Sequence, residues 1–174
     1  MNNLIVLALL VFVLLFALGL VLPLLLPFIN NGAPFVSSSK RRVKTLMEMA
    51  KLSPADVVAD FGSGDGRIIR AAARAGANEA VGYEIQPALV LWSKLLSQNL
   101  SNVRFILGSF WPADLSKTTV VFLYQLPPVM ARLAPKFKEE LPNGARIVSN
   151  GFAFPDDWKP VEEKDRVKLY VVEK

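Results

Sequence analysis

A chain of 174 residues has room for one domain of ordinary size and an appendage, and excludes a second catalytic domain. It contains neither Cys nor His, which removes disulfides, thiolate nucleophiles, Cys-based zinc sites and the commonest proton shuttle; no metal site is assigned. The first 39 residues hold no Asp, Glu, Lys or Arg, so the whole net charge of +5 lies beyond them, too diffuse to select nucleic acid, an anionic membrane or an acidic partner.

Residues 4–22, LIVLALLVFVLLFALGLVL, are apolar throughout. At ~1.5 Å per residue they reach about 28 Å, close to the ~30 Å hydrocarbon core of a bilayer. The expectation is a transmembrane anchor over residues 1–29 that meets lipid through residues 4–29, its regular helix ending near the interface at Pro23 and Pro27. A cleaved signal peptide is the alternative, but MNN lacks a basic residue and the apolar run exceeds the usual ~7–15 residues. Lys40, Arg41, Arg42 and Lys44 follow closely enough to hold the C-terminal side in the cytoplasm. The default membrane is the prokaryotic plasma membrane, since no Arg-rich transit peptide precedes the span, or the inner mitochondrial membrane if the source is eukaryotic. The same basic cluster either rests on anionic headgroups or forms a solvated first turn of the next helix.

Residues 30–39 read as a linker and substrate-side loop, and residues 40–174 as the catalytic domain. Within the latter, residues 43–52 form an amphipathic helix with Val43, Leu46, Met47 and Ala50 on one face. DVVADF is a short strand, followed by a glycine turn and the helix RIIRAAARAG, stopped by Gly76. EAVGYE is a second strand, after which Pro87 opens a helix as a first-turn proline does. VRFILGSF and TTVVFLYQ are the third and fourth strands. PPVMARLAPKFKEEL is a helix that Pro135 kinks or divides. ARIVSNGF is a fifth strand, and the terminal segment is a hairpin. Strands separated by helices imply an α/β fold: a mostly parallel sheet covered on both faces, with ligands at the carboxyl ends of the strands.

The turn DFGSGDG, residues 60–66, admits three readings. As a kinase metal triplet it lacks the Gly-rich loop, strand lysine and H-R-D-type loop that must accompany it. As a dinucleotide fingerprint it has G-x-G-x-G where G-x-G-x-x-G is needed, with Arg67 in place of the third glycine. The S-adenosylmethionine (AdoMet) reading uses every residue. Asp60 offers a carboxylate for the ligand's α-ammonium, the glycines let backbone N–H groups approach its methionine part, and Glu84 ends the second strand where a carboxylate accepts both ribose hydroxyls.

GAPFVSSS, VVADFGSGDGRIIRAAARAG, AVGYEIQPALVLWSK and FPDDW together resemble the membrane-anchored class I protein-lysine methyltransferases. Mitochondrial members of that family modify the ATP synthase c subunit and the adenine nucleotide translocase, and prokaryotic relatives share the pattern. The resemblance runs from about Pro34 to Trp158. It implies a Rossmann-like class I methyltransferase fold with a seven-stranded sheet, S-adenosyl-L-methionine as methyl donor, and a lysine ε-amine of a membrane protein as acceptor. Carried over by position, it places Asp60, Gly62, Ser63, Gly64 and Gly66 in the cofactor turn. Asp65 lies beside the methionine moiety or caps the next helix, Glu84 holds the ribose, and Ile85, Ser109 and Phe110 lie at the adenine. On the acceptor side, Phe35 and Ser38 fall in a segment where relatives have P-Y-V-P-T; Ser38 keeps the hydroxyl, while the second proline is gone.

Transfer from a sulfonium needs an in-line neutral amine more than acid–base help, so the absence of His is no obstacle. Phe35, Trp111, Tyr124, Phe152 and Phe154 are candidate pocket walls that compete with ordinary core positions, and Tyr124, ending the fourth strand, is favoured as the residue orienting the amine. YQLPP lacks the Asn or Asp that opens the motif of enzymes methylating exocyclic base nitrogens, which counts against a nucleic-acid partner. Two alternatives stand beside the lysine reading: a methyltransferase for a lipid or quinone-like molecule, and a tethered AdoMet-binding module without catalysis.

Overall fold

The computed structural model describes residues 2–29, 35–155 and 158–174. The NNGAP linker and Asp156 and Asp157 of FPDDW lie outside the described residues. Helix α1 (Asn2–Ile29) runs past Pro23 and Pro27 rather than stopping at the first, since each proline removes only one rung of the hydrogen-bond ladder. Among the described residues no helix is long and apolar enough to cross a membrane.

The domain is built on β1 (Val57–Phe61), β2 (Glu79–Glu84), β3 (Val103–Leu107), β4 (Val120–Leu123), β5 (Arg146–Asn150), β6 (Glu162–Lys164) and β7 (Val167–Val171). They form the expected seven-stranded sheet in the order β3-β2-β1-β4-β5-β7-β6. The first five are mutually parallel, and the β6–β7 hairpin closes the sheet antiparallel to β5. The order reverses between β1 and β4, which opens a crevice at their carboxyl ends.

Helices α2 (Lys40–Ala50), α3 (Arg67–Arg74), α4 (Pro87–Leu96) and α5 (Pro127–Glu140) connect and cover the strands. Alternation along the strands sorts side chains between the two faces. Val58, Val120, Phe122 and Val148 pack with α2 and α3. Ala59, Phe61, Val121, Leu123 and Ile147 pack with α5. Phe137 of α5 is fully buried between Phe61 and Phe154, with ring centroids at 5.6 and 6.0 Å, a position where truncation to Ala costs about 3–5 kcal/mol.

Two helices differ from expectation. Helix α2 begins at Lys40, not residue 43, because the Ser39 hydroxyl caps it by accepting from Arg42 N at 3.2 Å. It ends at Ala50, where Lys51 turns left-handed (φ 49°). Helix α5 is continuous through Pro135. That proline and Ala131, whose carbonyl loses its donor, are both exposed, so solvent can satisfy the freed oxygen.

Asp165 and Arg166 join β6 to β7 with φ of 51° and 65°, a two-residue turn of the type that fits the twist of a hairpin. The first turn of α2 holds this tip: Arg41 pairs with the Asp165 carboxylate at 3.2 Å and Arg42 donates to its carbonyl. Two members of the basic cluster are thereby engaged within the domain.

Candidate active site

Strand β1 delivers Asp60 to the crevice, where it is 2% exposed and its Oδ2 has no hydrogen-bond partner. Burial first, and then the carboxylates of Glu84 and Asp65, push its pKa up to about 8. An acid in such a place keeps its proton or receives a cation. Ser63 repeats the pattern, buried with an unpartnered Oγ. Both residues line the same cleft, so its floor carries polar atoms that the protein does not satisfy.

The glycine turn departs from the sequence-based picture. Its N–H groups are consumed internally: Gly62 and Ser63 donate to Tyr83 O (3.0 and 2.9 Å), Gly64 to Glu84 Oε2 (2.9 Å) and Gly66 to Ser63 O (2.8 Å). They lock the turn onto the end of β2 instead of facing a ligand. Glycine is required there by space and φ together. A Cβ on Gly64 (φ 55°) would overlap the Phe35 ring, and one on Gly66 (φ 73°) would lie 2.6 Å from Phe105.

Glu84, buried at the end of β2, accepts from Gly64 N through one oxygen and from Gln86 N through the other, each at 2.9 Å. These bonds fix its carboxylate plane and leave a second lone pair on each oxygen. Asp65 takes the capping option, accepting from Arg67 N at 3.2 Å while the Arg67 guanidinium grips both its oxygens, the shortest contact being 2.6 Å. Burial pushes the Asp65 carboxyl up, but the Arg67 hydrogen bonds outweigh it and hold the pKa below the usual range. Arg67 also donates to Ser38 O at 2.5 Å, tying the loop before α2 to the cofactor turn.

One cleft at the carboxyl ends of β1 and β2 gathers these groups. Every residue expected at the cofactor lines it except Gly64 and Gly66, which are covered by Phe35 and Phe105. Ile85 and Ser109 stand at its wall. Phe110 reaches it by an edge only, since most of that ring stacks on Phe61 at 4.7 Å inside the core.

Phe35, Ser38 and Tyr124 line the cleft as well. Val36, Ser37, Ser38 and Tyr124 are shared with an adjoining pocket completed by Asn150, Gly151 and Phe152, with Arg42 and Arg166 at its edge. Tyr124 and Phe152 stack there at 5.9 Å. Trp111 and Phe154 are not pocket walls. Trp111 lies under the Arg132 guanidinium at 4.3 Å, and Phe154 is buried against Trp158 and Tyr170.

Asn150, Gln125 and Arg67 are site residues that the sequence reading missed. Asn150 donates to Ser38 Oγ at 3.2 Å, and Gln125 donates to Phe61 O at 2.7 Å beneath the turn. Their signal was their place: a polar residue ending β5, and another just past β4.

The ANTKMT methyltransferase domain model matches residues 60–162. The chain is 36% identical over 146 residues to the adenine nucleotide translocase lysine N-methyltransferase of Mus musculus, covering 80% of this chain and 63% of that one. It is 35% identical over 130 residues to the lysine N-methyltransferase of the ATP synthase c subunit from Xenopus laevis, covering 73% and 56%. A protein-lysine N-methyltransferase of Saccharolobus islandicus is 34% identical over 139 residues, covering 74% and 82%. The chain thus spans less than two thirds of the two animal relatives and most of the archaeal one. Among solved structures, a Salinibacter ruber protein described as an RNA methyltransferase, in complex with S-adenosyl-L-homocysteine, matches with a TM-score of 0.75 and 36% identity, covering 80% of this chain and 95% of that one. With a buried acid at the end of β1, a glycine turn locked to β2 and a class I sheet order alongside these matches, the chain belongs to the ANTKMT methyltransferase domain family.

Proposed function

We propose that the protein is a membrane-tethered AdoMet-dependent methyltransferase that acts on a lysine ε-amine of a membrane-associated protein. The observation that carries this reading is the shared wall of two compartments. The cleft holding Asp60 and Glu84 and the pocket of Asn150 and Phe152 meet at Val36, Ser37, Ser38 and Tyr124, which line both. AdoMet, when bound, supplies a methyl group already activated by its sulfonium. The chain's own residues do the rest. Asp60 offers its unpartnered oxygen to a cation, and Glu84 presents two oriented acceptor oxygens at the cleft wall. A lysine entering the second pocket sheds its proton as it is desolvated. The Tyr124 hydroxyl and the Asn150 amide oxygen can orient the neutral amine, and the Tyr124–Phe152 stack excludes water beside it.

The lysine acceptor is supported by the names of the three relatives, and the tether by the uncharged apolar α1 with basic residues just beyond it. The description of the Salinibacter ruber protein favours a second reading, RNA as acceptor. The YQLPP segment, without Asn or Asp before its prolines, counts against it.

The test incubates membranes from a strain lacking the protein with the enzyme and methyl-labelled AdoMet, then separates protein, lipid and RNA. Asp60→Ala and Glu84→Ala enzymes serve as controls. Label in one membrane protein, absent with both variants, is the expected result. Label in lipid or RNA replaces the acceptor, and cofactor binding with no label in any fraction leaves a binding module.

A further inference from the structure

Helix α4 is inside out. Its buried side carries Val90 and Ser93, followed by Ser97 just past its end. Leu91 and Trp92 are 71% and 51% exposed, and Leu95 and Leu96 are exposed beside them. The spacing i, i+1, i+4, i+5 makes these four one continuous stripe on the solvent side of a helix. The polar interior has a local cause: Ser93 Oγ donates to Gly64 O at 2.9 Å, and Gly66 leaves no room for a larger neighbour, since a Cβ there would already lie 3.0 Å from Ser93 Cβ. Among the described residues nothing covers the apolar exterior.

Leu107, exposed on edge strand β3 against which α4 packs, is a further apolar side chain on this flank. A contiguous apolar stripe on the solvent side of a helix marks an interaction site.

We infer that this surface seats the domain on an anionic lipid bilayer, with α4 lying in the interfacial plane. Two observations select lipid. First, α4 contains no acidic residue; its one charged side chain is Lys94, exposed between Trp92 and Leu95, the cation, aromatic and aliphatic set that a headgroup boundary accepts. Second, residues 30–39 separate α1 from α2, and at ~3.3–3.6 Å per residue they hold the domain within about 36 Å of the end of α1. This last point rests on the tether proposed above.

The absence of Cys makes the test clean, because a single introduced cysteine takes a spin label uniquely. Leu91→Cys and, as control, Glu139→Cys on exposed α5 are prepared in the full chain and reconstituted into vesicles of phosphatidylethanolamine and phosphatidylglycerol. Neither position belongs to the site. The label at 91 should collide with oxygen severalfold more often than the label at 139, and should lose collisions with an aqueous nickel chelate. Replacing phosphatidylglycerol with phosphatidylcholine should weaken that contrast. An aqueous signature at both positions overturns the inference. Dipolar coupling between 91 labels at high lipid dilution overturns it in favour of a second copy. Shielding from both reagents only when an acceptor membrane protein is added overturns it in favour of a protein partner. Methyl transfer measured on the same vesicles separates the two proposals. An active enzyme with an aqueous label removes this surface alone, and a lipid-seated label without methylation removes the acceptor assignment alone.

Discussion

Asn150, the last residue of β5, donates from its side-chain amide to the Ser38 hydroxyl at 3.2 Å, and Ser38 in turn receives Arg67 on its carbonyl. One serine thus joins the acceptor pocket to the cofactor turn. Asn150→Ala removes the side-chain bond and leaves a buried hydroxyl unpaired, which costs about 1–3 kcal/mol of local stability. The expected result is a loss of about tenfold to a hundredfold in the methyl-transfer rate, the scale of a small misplacement of reacting groups. AdoMet affinity should be unchanged. Single-turnover rates and calorimetric titration of the same variant check both halves, and an equal loss in binding would contradict the division into two compartments.

Asp60 predicts an inverted pH dependence for the cofactor-free protein. Its folded pKa is raised from the usual 3.8 to about 8, so between about pH 4 and 8 the native state holds a proton that the unfolded chain releases. Stability is then highest at the acid end of this window and falls as pH rises, by up to roughly 1.4 kcal/mol per unit. Asp60→Asn should flatten that slope and make the cofactor-free protein more stable at pH 8, while weakening AdoMet binding. In the parent protein, affinity for AdoMet should increase as pH rises through about 8, because the ionised carboxylate is the form that accepts an ammonium. Denaturation and binding measured across pH 5–9 test the pair.

Asp56 should act in the opposite direction. It is buried, and although burial pushes its pKa up, hydrogen bonds from Arg146, Thr119 and Ser53 outweigh that and hold it at about 2. Its contribution, roughly 2 kcal/mol, is present above pH 4 and lost as pH falls toward 2. Arg146 also donates to the carbonyls of Ala50 and Lys51, so this pair pins the end of α2 to β5. Arg146→Met should lower the unfolding midpoint at pH 7 by several degrees and shrink the acid-dependent loss. Unfolding followed at pH 7 and pH 3 distinguishes this from a general loss of packing.

Gly64→Ala brings a methyl group into the Phe35 ring at a left-handed position. The backbone strain alone is about 1 kcal/mol, and the clash displaces the loop that carries Ser38. Activity should fall sharply. Phe35→Ala in the same chain relieves the overlap and leaves only the strain, so the double variant should be more stable than the sum of the two singles. A double-mutant cycle by thermal unfolding reads that coupling, and strict additivity would show that the ring moves aside freely.

The sheet was legible because apolar runs, glycine stops and the proline opening α4 all agreed on the same strand and helix succession. The donor side was legible for a related reason: Asp60 and Glu84 are acidic residues at the ends of buried strands, where chemistry is the main reason for a charge. The hydrogen bonding of the turn was not. Nothing in G-x-G-x-G tells whether its N–H groups face a ligand or the neighbouring strand, and here Tyr83 O and Glu84 take them. Asn150 and Ser38 are 112 residues apart, and the packing of α2 against β5 brings them together. Trp111 and Phe154 looked like pocket walls because an aromatic near a strand end is compatible with both core and cleft. The inversion of α4 was hidden for a similar reason, since an apolar stripe does not say which side faces in.

The hairpin tip at Asp165 and Arg166 has a bearing on the order in which the two compartments arise. Arg166 borders the acceptor pocket, and its carbonyl receives the N–H of Gly151, the residue after Asn150. Every residue lining the cofactor cleft, by contrast, has left the ribosome by Gln125. A growing chain therefore has the sequence to bind the methyl donor well before it can admit an acceptor. Closure of the last hairpin completes the lining of the second pocket.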